Sequence, residues 1–576
     1  MHRQSGLPLL LRETSIPAPG VGGGRQRRPG PLLRSGEIPV HDRSRGGRRI
    51  RQWHRAGALF LYPSRNLAQR TGSGRIRGSR LGRRWPCPGR RRLHRSGPRR
   101  HSHPEWRTVA LGGLRRGGQL YYALDMTQPD KLDTKNVGVP LNGYVPSCWN
   151  EGGTADCGPV PYGAALWEFT DTWDEDPPGD PTGDTGVGYP DLGDTWSVPN
   201  TGMIRVLEND GSEDVEVVKF VAVFGGGLDP AKLGNQGNWL YMVDIETGKT
   251  IYKRRLTSSA ASEPAAVDTD QNGFIDTIFI GTTDGYLYKA DVSEPKLLDP
   301  TATVTDYSSG VDVVRTVKRV VDTAWDPFKV FDTGGRPIFF PPSVIFVAKL
   351  GQYALSFGTG DREDLLAITN QVPRFYTFVD DGFAADDIRL PLDENDLELI
   401  EFDSAFEQTE DLLVNPPANK EAGWVLTLTA NEKVITKSLA FAGILTFSTF
   451  SPDLTVTDEC GGAGAGRIFI VNTTNANPLH SLSGDATRFF DVSDIVTNPY
   501  VEPGGMPGDD DDDDDDDGGN PCAGQLAMTQ RLMQLFPSGC KFANRTENIM
   551  TQRADTGVQC IAPVPICVDP KNWKEF

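Results

Sequence analysis

From Glu105 onward the chain repeats one arrangement of apolar and polar positions. An apolar run ends in a Gly-rich turn, and a second run follows in which aromatic, small or apolar, and acidic residues come in order. The arrangement occurs as VALGGLRRGGQLYYALD (109–125), as VAVFGGG with WLYMVDIETG (221–248), as TIFIGTTDGYLYKAD (277–291), and more loosely as YALSFGTGD (353–361) with FYTFVDD (375–381). GRIFIVNTT (466–474) supplies another second strand with a less defined first one. Segments ending in proline, DTWSVP (194–199), ASEP (261–264) and IFFPP (338–342), precede three of the units and lead into one further strand each. Short runs punctuated by Gly and Asp predict tight antiparallel turns, so each unit reads as a sheet of three or four strands.

At least five such units lie between residues 105 and 475, spaced irregularly as inserted loops would space them. That predicts an all-β fold, a modified β-propeller of about seven blades, with room for an incomplete blade at the N-terminus. The imperfect alternation in WLYMVD suits inner blade strands, which are buried on both faces. The 64 Gly and 43 Pro agree with a chain full of turns.

The first hundred residues use a different alphabet. They hold 25 Arg, no Lys and three acids, a net charge of +22, whereas the remaining 476 carry −40 within a total of −18. Their apolar residues keep neither strand nor helix period, so residues 1–104 are expected to be disordered. Six of the seven His fall at or before His103, and the first Lys is Lys131. This shift matches a GC-rich gene read in another frame, with the native pattern resuming near Glu105. An arginine-rich arm for nucleic acid is the competing reading, and no nucleic-acid partner is expected. No apolar run is long enough for a transmembrane helix, and the N-terminal one is too short for a secretion signal. Three segments result: 1–104, a propeller over 105–475, and an extension over 476–576.

The sharpest chemical signal is Asp268-Thr-Asp270-Gln-Asn272-Gly-Phe274-Ile-Asp276. Side-chain oxygens at positions 1, 3, 5 and 9, a glycine at 6 and the Phe274 carbonyl at 7 suit Ca²⁺. An EF-hand would place Glu at position 12, where this chain has Phe279 inside an apolar strand. The expectation is a calcium loop between two strands. Magnesium, which demands a small octahedron, fits less well.

The segment containing this loop, VDTDQNGFIDTIFIGTTDGYLYKADV (267–292), and TVALGGLRRGGQLYYALDMTQP (108–129) resemble the PilC/PilY family of type IV pilus adhesin and assembly proteins. LWEFTD (166–171), DLGDTWSVP (191–199), SFGTGD (356–361), GWVLTL (423–428), ILTFSTFSP (444–452) and the closing NWKEF (572–576) add to the resemblance in the same order. It implies a modified propeller in which Asp268, Asp270, Asn272 and Asp276 hold Ca²⁺, with occupancy governing whether pili extend or retract. It also implies minor pilins or the pilus tip as partners, a host or abiotic surface as a further one, and an exported protein in the periplasm, on the outer membrane or at the tip. The family usually has a secretion signal and a variable N-terminal adhesive region, neither of which is expected here, and the Arg-rich segment stands where the resemblance implies early propeller strands.

Cysteine placement fits export. Cys148 and Cys157 bracket a short loop, and Cys460, Cys522, Cys540, Cys560 and Cys567 lie in the last 120 residues, where cross-links would help irregular backbone. Zinc is disfavoured because that group lacks C-x-x-C spacing and His. The nine aspartates Asp509–Asp517 read as a solvated linker. No enzyme is expected: after residue 103 the only histidine is His480, and no nucleophile or phosphate motif occurs. The alternative is a periplasmic quinoprotein-like oxidoreductase, suggested by the Tyr-x-x-Asp-x-x-x-Gly strand from Tyr241 to Gly248.

Overall fold

The computed structural model describes residues 59–63, 106–126, 164–170, 191–232, 236–306, 313–368, 371–382, 390–404, 407–452, 464–481, 486–492, 495–503, 545–553 and 557–566. All fall in the compact unit His54–Phe576. The Cys148–Cys157 loop, the aspartate run and the terminal NWKEF lie outside the described residues.

The repeats fold as successive antiparallel meanders, the blades of a β-propeller. Blade one comprises Leu59–Pro63, Trp106–Gly113, Tyr121–Asp125 and Ala164–Phe169. Blade two runs through Asn200–Asn209, Asp214–Gly225, Trp239–Asp244 and Thr250–Arg255, and blade three through Ala265–Val267, Thr277–Gly281, Tyr286–Asp291 and Phe328–Asp332. Blade four is Ser343–Val347, Gln352–Gly358, Arg374–Asp380 and Gly423–Thr427. In blade five, Ile444–Pro452 and Gly464–Asn472 are flanked by Lys433–Val434, Leu439–Phe441 and Phe489–Val492. A three-stranded sheet, Tyr500–Pro503, Arg545–Arg553 and Gly557–Ile566, follows.

Three features depart from the sequence expectation. Leu59–Pro63 lies within the segment expected to be disordered, yet pairs with Trp106–Gly113; LFLYP is one of the few apolar runs in that segment. The boundary at 475 falls inside blade five, because Phe489–Val492 pairs with Gly464–Asn472. The third is a hairpin, Lys296–Asp306 with Val313–Val320, inserted between the last two strands of blade three and running parallel to blade two at Lys296–Val206 and Leu297–Leu207. Its pairing partner lies some ninety residues earlier, beyond the reach of local pattern.

The core lies between blades, and strand alternation divides each blade's side chains between its two neighbours. In blade two, Ala222, Phe224, Tyr241 and Val243 pack with Val109, Leu111 and Tyr121 of blade one. The intervening Val221, Val223, Leu240 and Met242 pack with Ile278 and Ile280 of blade three. Every one of the six residues Trp239–Asp244 is therefore buried, which explains why polar alternation was faint.

The acidic residue that ends each repeat has a structural role. The Asp244 carboxylate accepts from the Glu246 N–H at 2.8 Å, that of Asp291 accepts from Ser293 N–H at 3.0 Å, and Asn472 serves blade five by accepting from Thr474 N–H at 2.9 Å. Such side-chain bonds to the backbone two residues ahead fix the turns. Tryptophans then join blades over these turns. The Trp167 indole of blade one donates to the Ile245 carbonyl of blade two at 2.8 Å, and Trp424 of blade four to Thr473 of blade five at 3.0 Å. Gly248 has φ +68°, and a Cβ there would stand 2.5 Å from the Trp167 ring, so only glycine suits this turn.

Candidate metal centre

The calcium-type loop joins Ala265–Val267 to Thr277–Gly281 in blade three, and position 12, Phe279, is a buried strand residue as expected. Local hydrogen bonds shape the loop. Asp268 accepts from the N–H groups of Asn272 at 3.0 Å and Gly273 at 2.7 Å, one oxygen to each. Asp270 accepts from the Asn272 backbone at 3.0 Å and from its side-chain amide at 2.8 Å. The Asn272 side-chain carbonyl oxygen in turn accepts from Phe274 N–H at 2.8 Å. Gln271 at φ +59° and Gly273 at φ +92° give the sharp reversal these bonds require.

Asp276 anchors the other end. Its Oδ2 accepts from Thr269 N–H at 2.7 Å, the Thr269 hydroxyl at 2.8 Å and Asp270 N–H at 3.3 Å. Asp276 is 4% exposed, whereas Asp270 stands in solvent and Asp268 is half-buried. Carboxylate oxygens of Asp268, Asp270 and Asp276 all lie within 4.8 Å of one another. Like charges that close repel by about 1 kcal/mol per pair in water and several times more in a protein-like dielectric. A hard, oxygen-seeking divalent cation would offset that repulsion, and the donor set fits one.

Of the five ligands expected from sequence, the structure brings together the three aspartates, and Asn272 and Phe274 are tied into the same turn by hydrogen bonds. Sequence reasoning missed the supports from neighbouring blades. The Tyr353 hydroxyl of blade four donates to the Thr269 carbonyl at 2.9 Å, and Ile275 N–H donates to the Met203 carbonyl of blade two at 2.8 Å. Arg205 of blade two stacks over the Phe274 ring at 5.3 Å. A D-x-D-x-N spacing signals none of these, since each comes from tertiary packing.

Beside the loop, a cavity of about 420 Å³ is lined by both Asp268 and Glu263. Burial raises the Glu263 carboxyl above its ordinary 4.5, and its ion pair with Lys437 opposes part of the rise. The folded state thus holds this proton more tightly than the unfolded chain, so stability falls as pH climbs from 4.5 towards the folded value. Glu263→Gln is expected to lessen the drop in melting temperature between about pH 4.5 and 7. Equal slopes for the two proteins in thermal melts would refute this.

Cys560 is disulfide-bonded, in accord with an oxidising compartment.

No family model matches the chain. Over 384 residues it is 24% identical to the type IV pilus biogenesis factor PilY1 of Pseudomonas aeruginosa, covering 60% of this chain and 27% of that protein. Over 392 residues it is 22% identical to the PilY1 homolog of Xylella fastidiosa, covering 64% of this chain and 22% of the other. The chain is similar in sequence to PilY1 proteins. It spans about a quarter of the length of these PilY1 relatives. The crystal structure of the P. aeruginosa PilY1 C-terminal domain superposes with a TM-score of 0.41 at 17% identity, over 67% of this chain and 75% of that one.

Proposed function

We propose that this chain is the propeller domain of a type IV pilus biogenesis protein, exported to the periplasm, outer surface or pilus tip. In this reading Asp268, Asp270, Asn272, the Phe274 carbonyl and Asp276 hold a calcium ion. The observation that carries it is the convergence of three carboxylates within 4.8 Å in one strand-to-strand loop. The likeness to PilY1 supports the pilus setting. A bound ion would supply the positive charge that lets the loop close. The protein's part is to hold the loop backbone between blades, so that occupancy alters the propeller surface offered to minor pilins or to a host or abiotic surface, and through it the balance of pilus extension and retraction.

We assign no catalytic role. The Tyr241–Gly248 segment that prompted the quinoprotein alternative has its tyrosine ring in the core and its glycine beneath Trp167.

Calorimetric titration with calcium chloride is expected to give saturable binding and a melting temperature that EGTA lowers. At a hundredfold excess over Kd the ion would add about 2.7 kcal/mol of stability. Asp270→Asn changes only an exposed carboxylate, and should weaken binding roughly tenfold or more while the apo protein keeps its fold. No calcium heat, or equal heats for both proteins, would reject the metal reading. For the pilus setting, deletion of the gene should reduce surface pili; an unchanged count would reject it.

A further inference from the structure

The inserted hairpin creates a second site, far in character from the acidic loop. Lys296–Asp306 extends blade two along Asn200–Asn209, and the returning strand Val313–Val320 comes against Thr250–Arg255 at the blade's opposite edge. The six strands thereby curl towards a half-barrel, and its mouth holds a cavity of about 460 Å³. That volume lies in the range of small-ligand sites.

Charged side chains line this space where a packed core would be apolar. Lys219, Asp244 and Arg319 are all under a tenth exposed, while Lys249, Lys318 and Glu168 stand at the rim. Lys219 is held by Glu208 at 2.6 Å and lies 3.9 Å from Asp244. Buried charges carry a desolvation cost that apolar residues of similar volume would avoid, so a half-barrel closed only for stability would have no use for them. Four threonines, Thr170, Thr247, Thr250 and Thr316, also line the cavity, with Ile251 and Val317 as its apolar wall.

We propose that this cavity binds a small polyhydroxylated carboxylate of the uronic-acid class. Arg319, with Lys249 and Lys318 at the rim, meets the carboxylate. The threonine hydroxyls, Asp244 and Glu168 meet the sugar hydroxyls, and the aliphatic wall meets the ring's C–H face. Acids and hydroxyls beside the cations select for a ligand that both donates and accepts, which chloride or sulfate does not. This site is independent of the calcium reading, since no metal-loop residue lines the cavity.

The test is calorimetric titration of the full chain, in EGTA, with D-glucuronate, D-glucose and acetate. Glucuronate should bind roughly tenfold or more tightly than either control, and more weakly as salt is raised. The double variant Lys249→Gln/Lys318→Gln changes exposed residues only, and should lose about tenfold in glucuronate affinity at unchanged melting temperature. Three results would overturn the proposal: no saturable glucuronate heat at millimolar concentration, acetate or glucose binding equally well, or an unaffected double variant.

Discussion

Trp424→Ala is expected to remove about 3–5 kcal/mol of stability, the range for truncating a large buried aromatic. Trp424 is fully buried in the last strand of blade four. Its ring faces Phe375 at 6.2 Å, which stacks on Phe447 of blade five at 3.8 Å, and Phe447 stacks on Phe469 at 4.7 Å. The indole N–H also holds the Thr473 carbonyl. Alanine would open a cavity at the seam of two blades and leave that carbonyl without this donor, whereas Trp424→Phe keeps most of the volume and loses mainly the hydrogen bond, about 1–2 kcal/mol. Urea denaturation of the three proteins measures both steps. If phenylalanine costs as much as alanine, or alanine costs under about 1 kcal/mol, the seam does not depend on this ring.

The second large effect is expected at Asp276, where charge and hydrogen bonding can be separated. Asp276→Ala should abolish calcium binding. In EGTA it should also destabilise the loop, because Thr269 N–H, the Thr269 hydroxyl and Asp270 N–H all lose their acceptor, at about 1 kcal/mol each. Asp276→Asn retains an oxygen for those donors and removes one of three crowded negative charges. In EGTA it should be at least as stable as the parent, and in calcium clearly less stable. The order asparagine, parent, alanine in EGTA melts, with parent first in calcium, is the result to look for. Retained affinity in the alanine variant would remove Asp276 from the metal set.

The loop was legible in sequence because its logic is local: within nine residues, acceptor side chains, a residue at positive φ and a glycine determine where each oxygen points. The hairpins were legible for the same reason, and the repeated acid proved to be a turn former, as Asp244 and Asp291 show. What escaped was decided at long range. Leu392–Asp393 and Glu398–Ile400 run parallel to the outer strands of blades three and four, pairings too short to leave a pattern of their own. The inserted hairpin is strand-like, but which blade it joins depends on contacts with Val206 and Leu207 that no local window contains. Lys219 and Arg319 read as ordinary strand charges until the fold buries them.

Blades two and four both grip the blade-three loop by its backbone, through Met203 and Tyr353. Ordering that bend therefore works like a rivet through three plates. A disturbance of the bend should reach blades two and four together, through the Met203 carbonyl and the Tyr353 hydroxyl.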